Sequence, residues 1–266
     1  MTTVIKHFEV KRRYNMKKYN LGFISDADIY EHVESTMMQY RRSIDLKSFN
    51  KNLIDPIKLT FDSKIYGQDL QQTIESECLR QVDKTNNNCI GYFHQTIFKY
   101  AGNGWEVPEN GAKGGFDIVN EDRHIFVEMK NKHNTMNSAS TSSTYLKMQV
   151  KLLEDDSATC MLVECISKRS QDIAWKASVK TNGFTRTYCH DHIRRVSMDK
   201  FYEIVYGDKY AFYKLCKALP DILDDVIEGN ESAMLRNSVY DELDKTDFYK
   251  SLYLLAFQTY EGFDNF

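Results

Sequence analysis

The segment "GFDIVNEDRHIFVEMKNK" at 115–132 places Asp117, Glu128 and Lys130 inside two short apolar-rich runs. Acids are depleted in strands, and a buried carboxylate needs a partner. A hairpin with a two-residue tip at Asp122–Arg123 sets Asp117 opposite Glu128, Val119 opposite Phe126 and Gly115 opposite Lys130. Opposed residues have Cβ atoms ~4.5–5.5 Å apart, close enough for both carboxylates to chelate one hard cation. Lys130 lies two residues beyond Glu128 and points from the same face. Two carboxylates bind Mg²⁺ through oxygen, leaving positions for water and a substrate phosphate. The metal lowers the pKa of bound water, and a nearby lysine orients or deprotonates that water or stabilises developing charge. An Asp followed by Glu-x-Lys at a strand end is therefore a phosphodiester-cleaving arrangement.

Glu-x-Lys alone is a weak signal. Glu9-Val10-Lys11 has no upstream Asp, and Asp55-Pro56 with Asp62-Ser63-Lys64 has no preceding hairpin partner. The competing reading of the Asp117 set is an exposed hairpin with an ordinary ion pair. The apolar flanks argue for burial instead.

The elements that must position this set follow from periodicity. Residues 26–49 read as a helix, "PIKLTFDSKI" (56–65) as a strand, 67–84 and 89–101 as two helices separated by "TNNN". Then come strands at 104–109, "GGFDIVN" and "HIFVEMKNK", an amphipathic helix at 145–156 with Ser142 or Ser143 as its cap, and the apolar run "ATCMLVECI" (158–166). The order is α-β-β-β-α-β, and its strand–helix–strand step requires the last strand to run parallel to an earlier one. "FYEIVYG" (201–207) reads as a strand, with helices in 209–228 and 240–260.

The α-β-β-β-α-β order with Asp117 and Glu128-Met129-Lys130 resembles the PD-(D/E)XK nuclease superfamily. More narrowly, "GGFDIVN…FVEMKNKHNTMN", with "YCHDHIRRVSMDKFYEIVYGD" further on, is similar to type II restriction endonucleases cutting GGNCC or GGWCC sites. The resemblance implies an α/β (α+β) restriction-endonuclease-like core, a mixed β-sheet flanked by helices, with accessory helices. It implies one nuclease domain over 1–266, its core about 67–166 and its flanks, 1–66 and 167–266, serving DNA binding and dimerisation. It further implies Mg²⁺-dependent double-strand cleavage, a homodimer, and a metal held by Asp117, Glu128 and Met129. Phe116 stands where the superfamily's name has Pro.

The superfamily often adds an acid from the helix before the first strand. Glu75 and Glu77 are available, and Glu77 is preferred because Glu75 directly follows the apolar-face residue Ile74. The alternative is a solvated helix charge. His94 and Gln95 stand nearer the strands, and Gln149 lies on the crossover helix. Lys132, His133, Asn134 and Asn137 follow the catalytic strand and suit phosphate or base-edge contacts, or else a polar loop. Arg186, Arg194 and Arg195 make a DNA-facing segment, with a solvated surface as the alternative. Further cations cluster at Lys11, Arg12, Arg13, Lys17 and Lys18, at Arg41 and Arg42, and at Lys180. "CHDH" (189–192) offers too few ligands for a closed zinc site.

Net charge is −3, which argues against a uniformly basic surface but leaves room for a basic groove. No apolar stretch nears the ~20 residues a membrane helix needs. The first twenty residues lack a signal-peptide pattern, so the expected location is cytoplasmic. The six cysteines lack any C-x-x-C pair and read as reduced thiols. Two other readings compete: a DNA-binding module that no longer cuts, and a repair-type nuclease of low sequence specificity.

Overall fold

A computed structural model describes residues 18–109, 111–133, 135–181, 184–230, 236–243 and 247–257. Asn134 and the cations Lys11, Arg12, Arg13 and Lys17 lie outside them. The elements run α1 Asp26–Gln39, β1 Ser43–Ile44, α2 Leu46–Asn50, α3 Pro56–Tyr66 and α4 Leu70–Thr96, followed by a 3₁₀ turn at Ile97–Tyr100. Then come β2 Trp105–Glu106, β3 Ile118–Asn120, β4 Ile125–Lys132, α5 Ser138–Glu154, β5 Thr159–Ile166 and β6 Asp172–Ala174. β7 Ala177–Thr181, β8 Phe184–Tyr188, β9 Ile193–Ser197, α6 Met198–Tyr206 and α7 Ala211–Glu228 follow. β10 Arg236–Asn237, α8 Val239–Glu242 and α9 Phe248–Phe257 complete the order.

The chain divides into two compact units, residues 1–35 with 91–229, and residues 36–90 with 230–266. The first is built on a six-stranded mixed sheet in the order β2-β3-β4-β5-β9-β6. β2, β3 and β4 are antiparallel neighbours, while β4, β5 and β9 run parallel. The expected crossover is thus present, with α5 as its helix. Phe126, Cys160, Leu162 and Ile193 pack with Tyr145 and Met148 of α5. Val127, Met129, Met161 and Val163, on the alternate positions, are also buried, as strands covered on both faces require. The second unit joins β1 to β10 in parallel and buries Phe49, Leu59, Ile74, Cys78, Val239 and Leu252. Among the described residues no helix is long and apolar enough to cross a membrane.

Several expected elements differ. "PIKLTFDSKI" is the helix α3, not a strand. Asp55 caps it by accepting from the Lys58 amide at 3.0 Å, Pro56 opens it, and Gly67 closes it in the left-handed region at φ 62°. Its alternating apolar residues misled, because Leu59 and Ser63 are buried while Ile57, Phe61 and Ile65 are exposed. The two helices expected over 67–84 and 89–101 are one long helix, α4, which a 3₁₀ turn follows at Ile97–Tyr100. The polar break survives inside α4 because Thr85 bonds the Gln81 carbonyl (3.0 Å) and Asn87 bonds Asp83 (2.8 Å) one turn back. The helix expected over 26–49 is broken by β1. "FYEIVYG" belongs to α6, whose buried Met198, Phe201, Tyr202 and Val205 keep a helical period. α5 starts at Ser138, with Asn137 rather than Ser142 or Ser143 as its cap.

Candidate active site

The β3–β4 ladder begins at Ile118, so Asp117 stands just outside it and is not paired with Glu128 in the register. Ile118 pairs with Val127 and Val119 with Phe126. The Asp117 amide donates to the Val127 carbonyl at 2.8 Å, the residue already opposite Ile118, so two residues of this strand face one of β4, as at a β-bulge. The turn is longer than expected. Asn120 and Ile125 form the last pair, and residues 121–124 make the bend, with His124 at φ 53°. Asn120 Oδ1 accepts from the Arg123 amide (3.0 Å) and stabilises that bend without an Asn-Gly tip.

Asp117 is held from two sides. Its Oδ2 accepts from the Met129 amide at 2.7 Å, and Gln95 of α4 donates to its carbonyl (3.3 Å) and its Oδ1 (3.4 Å). Burial raises its pKa and Glu128 adds to this, against the Met129 amide, Lys130 and Lys147. Met129 itself alternates to the other face of β4, where its side chain is buried. Only its backbone reaches the site.

Glu128 is gripped by two lysines. Lys130 Nζ donates to its Oε1 at 2.6 Å, and Lys147 Nζ of α5 donates to its Oε2. Burial raises the Glu128 pKa, and the two ammonium groups more than reverse this, so the carboxylate titrates below its ordinary value. Lys147 was not anticipated from the sequence, which pointed to Gln149 on the same helix. Its signal is modest: Lys147 and Lys151 border the buried stripe Thr144, Tyr145 and Met148, and sit over the rings of Phe116 (4.5 Å) and Phe126 (4.4 Å). Lys147 also donates to the Gly115 carbonyl at 2.9 Å. Gly115 therefore lies in a turn and not opposite Lys130 in a strand. Gly114 and Gly115 both take positive φ, 71° and 73°, a pair of conformations that only consecutive glycines adopt without cost.

Of the helix candidates, Gln95 is the one bonded to Asp117. Glu77 sits eighteen residues earlier on α4, in the second unit, where its carboxylate takes Arg80 (2.5 Å) and Gln81 (3.0 Å). Those partners account for its burial. Glu75 is exposed and bonded to Gln71 at 2.7 Å. His94 has a buried Nδ1 without a hydrogen-bond partner among the described residues, and burial pushes its pKa down to about 4.

The expected DNA-contacting residues separate into two groups. Lys132 ends β4 exposed, and Arg186 is exposed on β8. The others have internal partners. Asn137 Oδ1 accepts from the Ser140 amide at 2.9 Å. Arg194 is paired with Asp172 at 2.5 Å. Arg195 is ion-paired with the buried Glu164 and donates to His133 Nδ1 at 2.8 Å. His133 Nδ1 also stands 3.0 Å from Glu164. Sequence reasoning missed Glu164, which pairs with Lys130 across the β4–β5 register.

The donor set fits a divalent cation. Asp117 and Glu128 are close enough for the charge of one to raise the pKa of the other, and among the described residues no third His, Cys, Asp or Glu joins them in a metal-binding group. Such a pair suits an ion that keeps water and phosphate oxygens in its remaining positions.

Comparison with known proteins agrees with this geometry. The family model described as Eco47II restriction endonuclease matches residues 21–228. The chain is 34% identical over 216 residues to the type II restriction enzyme Sau96I of Staphylococcus aureus, covering 78% of this chain and 81% of that enzyme. It is 28% identical over 214 residues to the type II restriction enzyme Eco47II of Escherichia coli, covering 78% of this chain and 88% of that enzyme. Restriction endonucleases act on DNA and generally use divalent metal ions. With its mixed sheet, the chain belongs to the Eco47II family of restriction endonucleases, site-specific deoxyribonucleases.

Proposed function

We propose that this chain hydrolyses phosphodiester bonds in both strands of DNA at a short palindromic site of the GGNCC kind, with Mg²⁺ held by Asp117 and Glu128. The observation that carries the reading is the proximity of Asp117, Glu128 and Lys130 around the backbone of β4 at Met129, with Lys147 closing on the same carboxylate as Lys130. Mg²⁺ bound there supplies an acidified water and offsets charge on the scissile phosphate.

The chain's own groups do the rest. The Met129 amide and Gln95 fix the direction in which Asp117 presents its carboxylate. Lys130 and Lys147 keep Glu128 ionised. Lys130, the more exposed end of the pair, orients the attacking water and accepts part of the charge that develops at phosphorus. Lys132, beyond it on β4, meets the phosphate backbone and holds the strand in register. Two cuts related by a two-fold axis require two such sites, which a C2 homodimer supplies.

Digestion of plasmid DNA with and without Mg²⁺ tests the proposal. Discrete fragments formed only with Mg²⁺ support it, and sequencing their ends reports the site and the stagger. Binding without cleavage points to the silent DNA-binding module, and a smear to a nuclease of low specificity; either result sinks it.

A further inference from the structure

From Ile173 to His190 the sequence contains no Asp or Glu, yet includes Lys176, Lys180 and Arg186, in a chain whose net charge is −3. This stretch folds largely as a separate two-stranded antiparallel ribbon, β7 with β8, running from the pair Ala177–Tyr188 to the pair Thr181–Phe184. All five residues of β8 are exposed, Phe184 to 76%. A two-stranded ribbon outside a larger sheet has little stability of its own, so its placement depends on what packs at its root.

The root of the ribbon is fixed to the core. Trp175 and Ala177 are buried with Tyr145 and Met148 of α5. Tyr145 stacks near Trp175 (5.3 Å) and Tyr188 (5.9 Å). Tyr145 lies two residues before Lys147, the lysine that grips Glu128. One helix thus anchors the ribbon and contributes to the carboxylate site, and the ribbon leaves the sheet on the face that carries Glu128.

Strand alternation puts Phe184, Arg186 and Tyr188 on one side of β8, and Thr185 and Thr187 on the other. Ser178 and Thr187 hydrogen-bond across the ribbon at 3.1 Å. Arg186 makes no ion pair and no side-chain hydrogen bond among the described residues, whereas Arg194 and Arg195 are both committed to carboxylates. A free guanidinium beside an exposed phenyl ring, on an acid-free ribbon, complements a polyanion with stacked bases.

We infer that the β7–β8 ribbon is the base-reading element of this enzyme, entering the major groove beside the cut, with Arg186 as its specificity-determining residue. The inference rests on the nuclease reading and adds to it the surface that meets the bases. The major groove is ~12 Å wide and admits a two-stranded ribbon, and arginine bonded twice to guanine O6 and N7 is its commonest specific contact. Phe184 lies against base or thymine methyl surface, and Thr185 and Thr187 reach phosphates or base edges.

The test uses the full chain and a short duplex carrying the site found by sequencing plasmid ends, bound in Ca²⁺ so that it is held uncut. Arg186→Ala is expected to weaken binding to this duplex about 10- to 100-fold, and binding to an unrelated duplex of equal length no more than about threefold. It should also expose one guanine N7 to dimethyl sulfate that the wild type protects. Arg186→Lys, which keeps the charge but not the paired donors, should remain weak on the site. Equal losses on both duplexes, or unchanged guanine protection, overturn the inference. So does a shift of Phe184→Ala or Arg186→Ala from dimer to monomer in sedimentation, which makes the ribbon a subunit contact. A wild-type chain that cuts no plasmid overturns the nuclease reading itself and takes the ribbon's role with it.

Discussion

Lys147 of α5 and Lys130 of β4 hold opposite oxygens of one carboxylate, Glu128, whose charge raises the pKa of the neighbouring Asp117. Two cations on Glu128 and none bonded to Asp117 divide the labour between the acids. Glu128 stays ionised, while Asp117, its pKa raised by burial and by the neighbouring Glu128 charge, is the group that gains most from a bound cation.

Glu128→Ala or Lys130→Ala is expected to lower the plasmid cleavage rate by at least about 100-fold, with DNA affinity in Ca²⁺ changed only a few-fold. Cleavage assays and gel shifts on the same preparations check this. Unimpaired cutting by both variants would falsify the site assignment.

Lys147→Met removes one of the two charges on Glu128 but keeps the stem that packs over Phe116. Cleavage should fall roughly 10- to 100-fold, and Lys147→Arg should recover part of it. A methionine variant that cuts at the wild-type rate makes the contact a surface ion pair of no catalytic consequence.

Arg195 is expected to act on stability before specificity. It neutralises Glu164, which is 1% exposed. Arg195→Ala removes the fixed positive charge beside that carboxylate and leaves it His133 Nδ1 (3.0 Å) and Ser167 Oγ (3.4 Å), at a cost of about 3 kcal/mol, read as a lower urea midpoint. Arg195→Met with Glu164→Leu should restore most of the loss, because neither charge then remains. An alanine variant as stable as the wild type would return Arg195 to the DNA-facing group.

Stability should fall as the solution is acidified from pH 7 to 5. His32 donates from Nε2 to the Phe93 carbonyl at 3.0 Å, and burial pushes its pKa down to about 4; His94 is pushed down to about 4 likewise. In the unfolded chain both titrate near 6.5, so between these values the unfolded state holds protons that the folded state refuses. Their contribution is complete above the unfolded value and is lost as pH falls toward 4, by up to about 2 kcal/mol per histidine at pH 5. His94→Gln should remove about half of the drop between urea midpoints at the two pH values. An equal drop in variant and wild type refutes the account.

Much of the catalytic hairpin was legible because its information is local. Strand alternation fixes which side chains share a face, so Glu128 and Lys130 point the same way, and the register was given by Val119 opposite Phe126, with Asp117 one residue outside it. The parallel neighbour of β4 followed from the length of the crossover, which leaves no tight return. α3 and α6 were misread because a short apolar run with alternating residues satisfies either period until caps decide. Asp55, Pro56, Gly67 and Gly207 held that information, as a capping acid, a helix-opening proline and two left-handed glycines.

What only the tertiary structure decided is which charged groups meet across elements distant in sequence. Lys147 reaches Glu128 because α5 packs over β4, Gln95 reaches Asp117 from the helix before the sheet, and Arg195 is drawn from solvent by a carboxylate on the neighbouring strand. Each such meeting depends on how one layer lies on another, and lone charges carry no periodic mark of their partners. The sequence by itself therefore determined that Glu128 and Lys130 share one face of a strand, because alternation enforces it residue by residue. Packing alone assigned the second lysine and separated the arginines that serve the core from the one left facing outward.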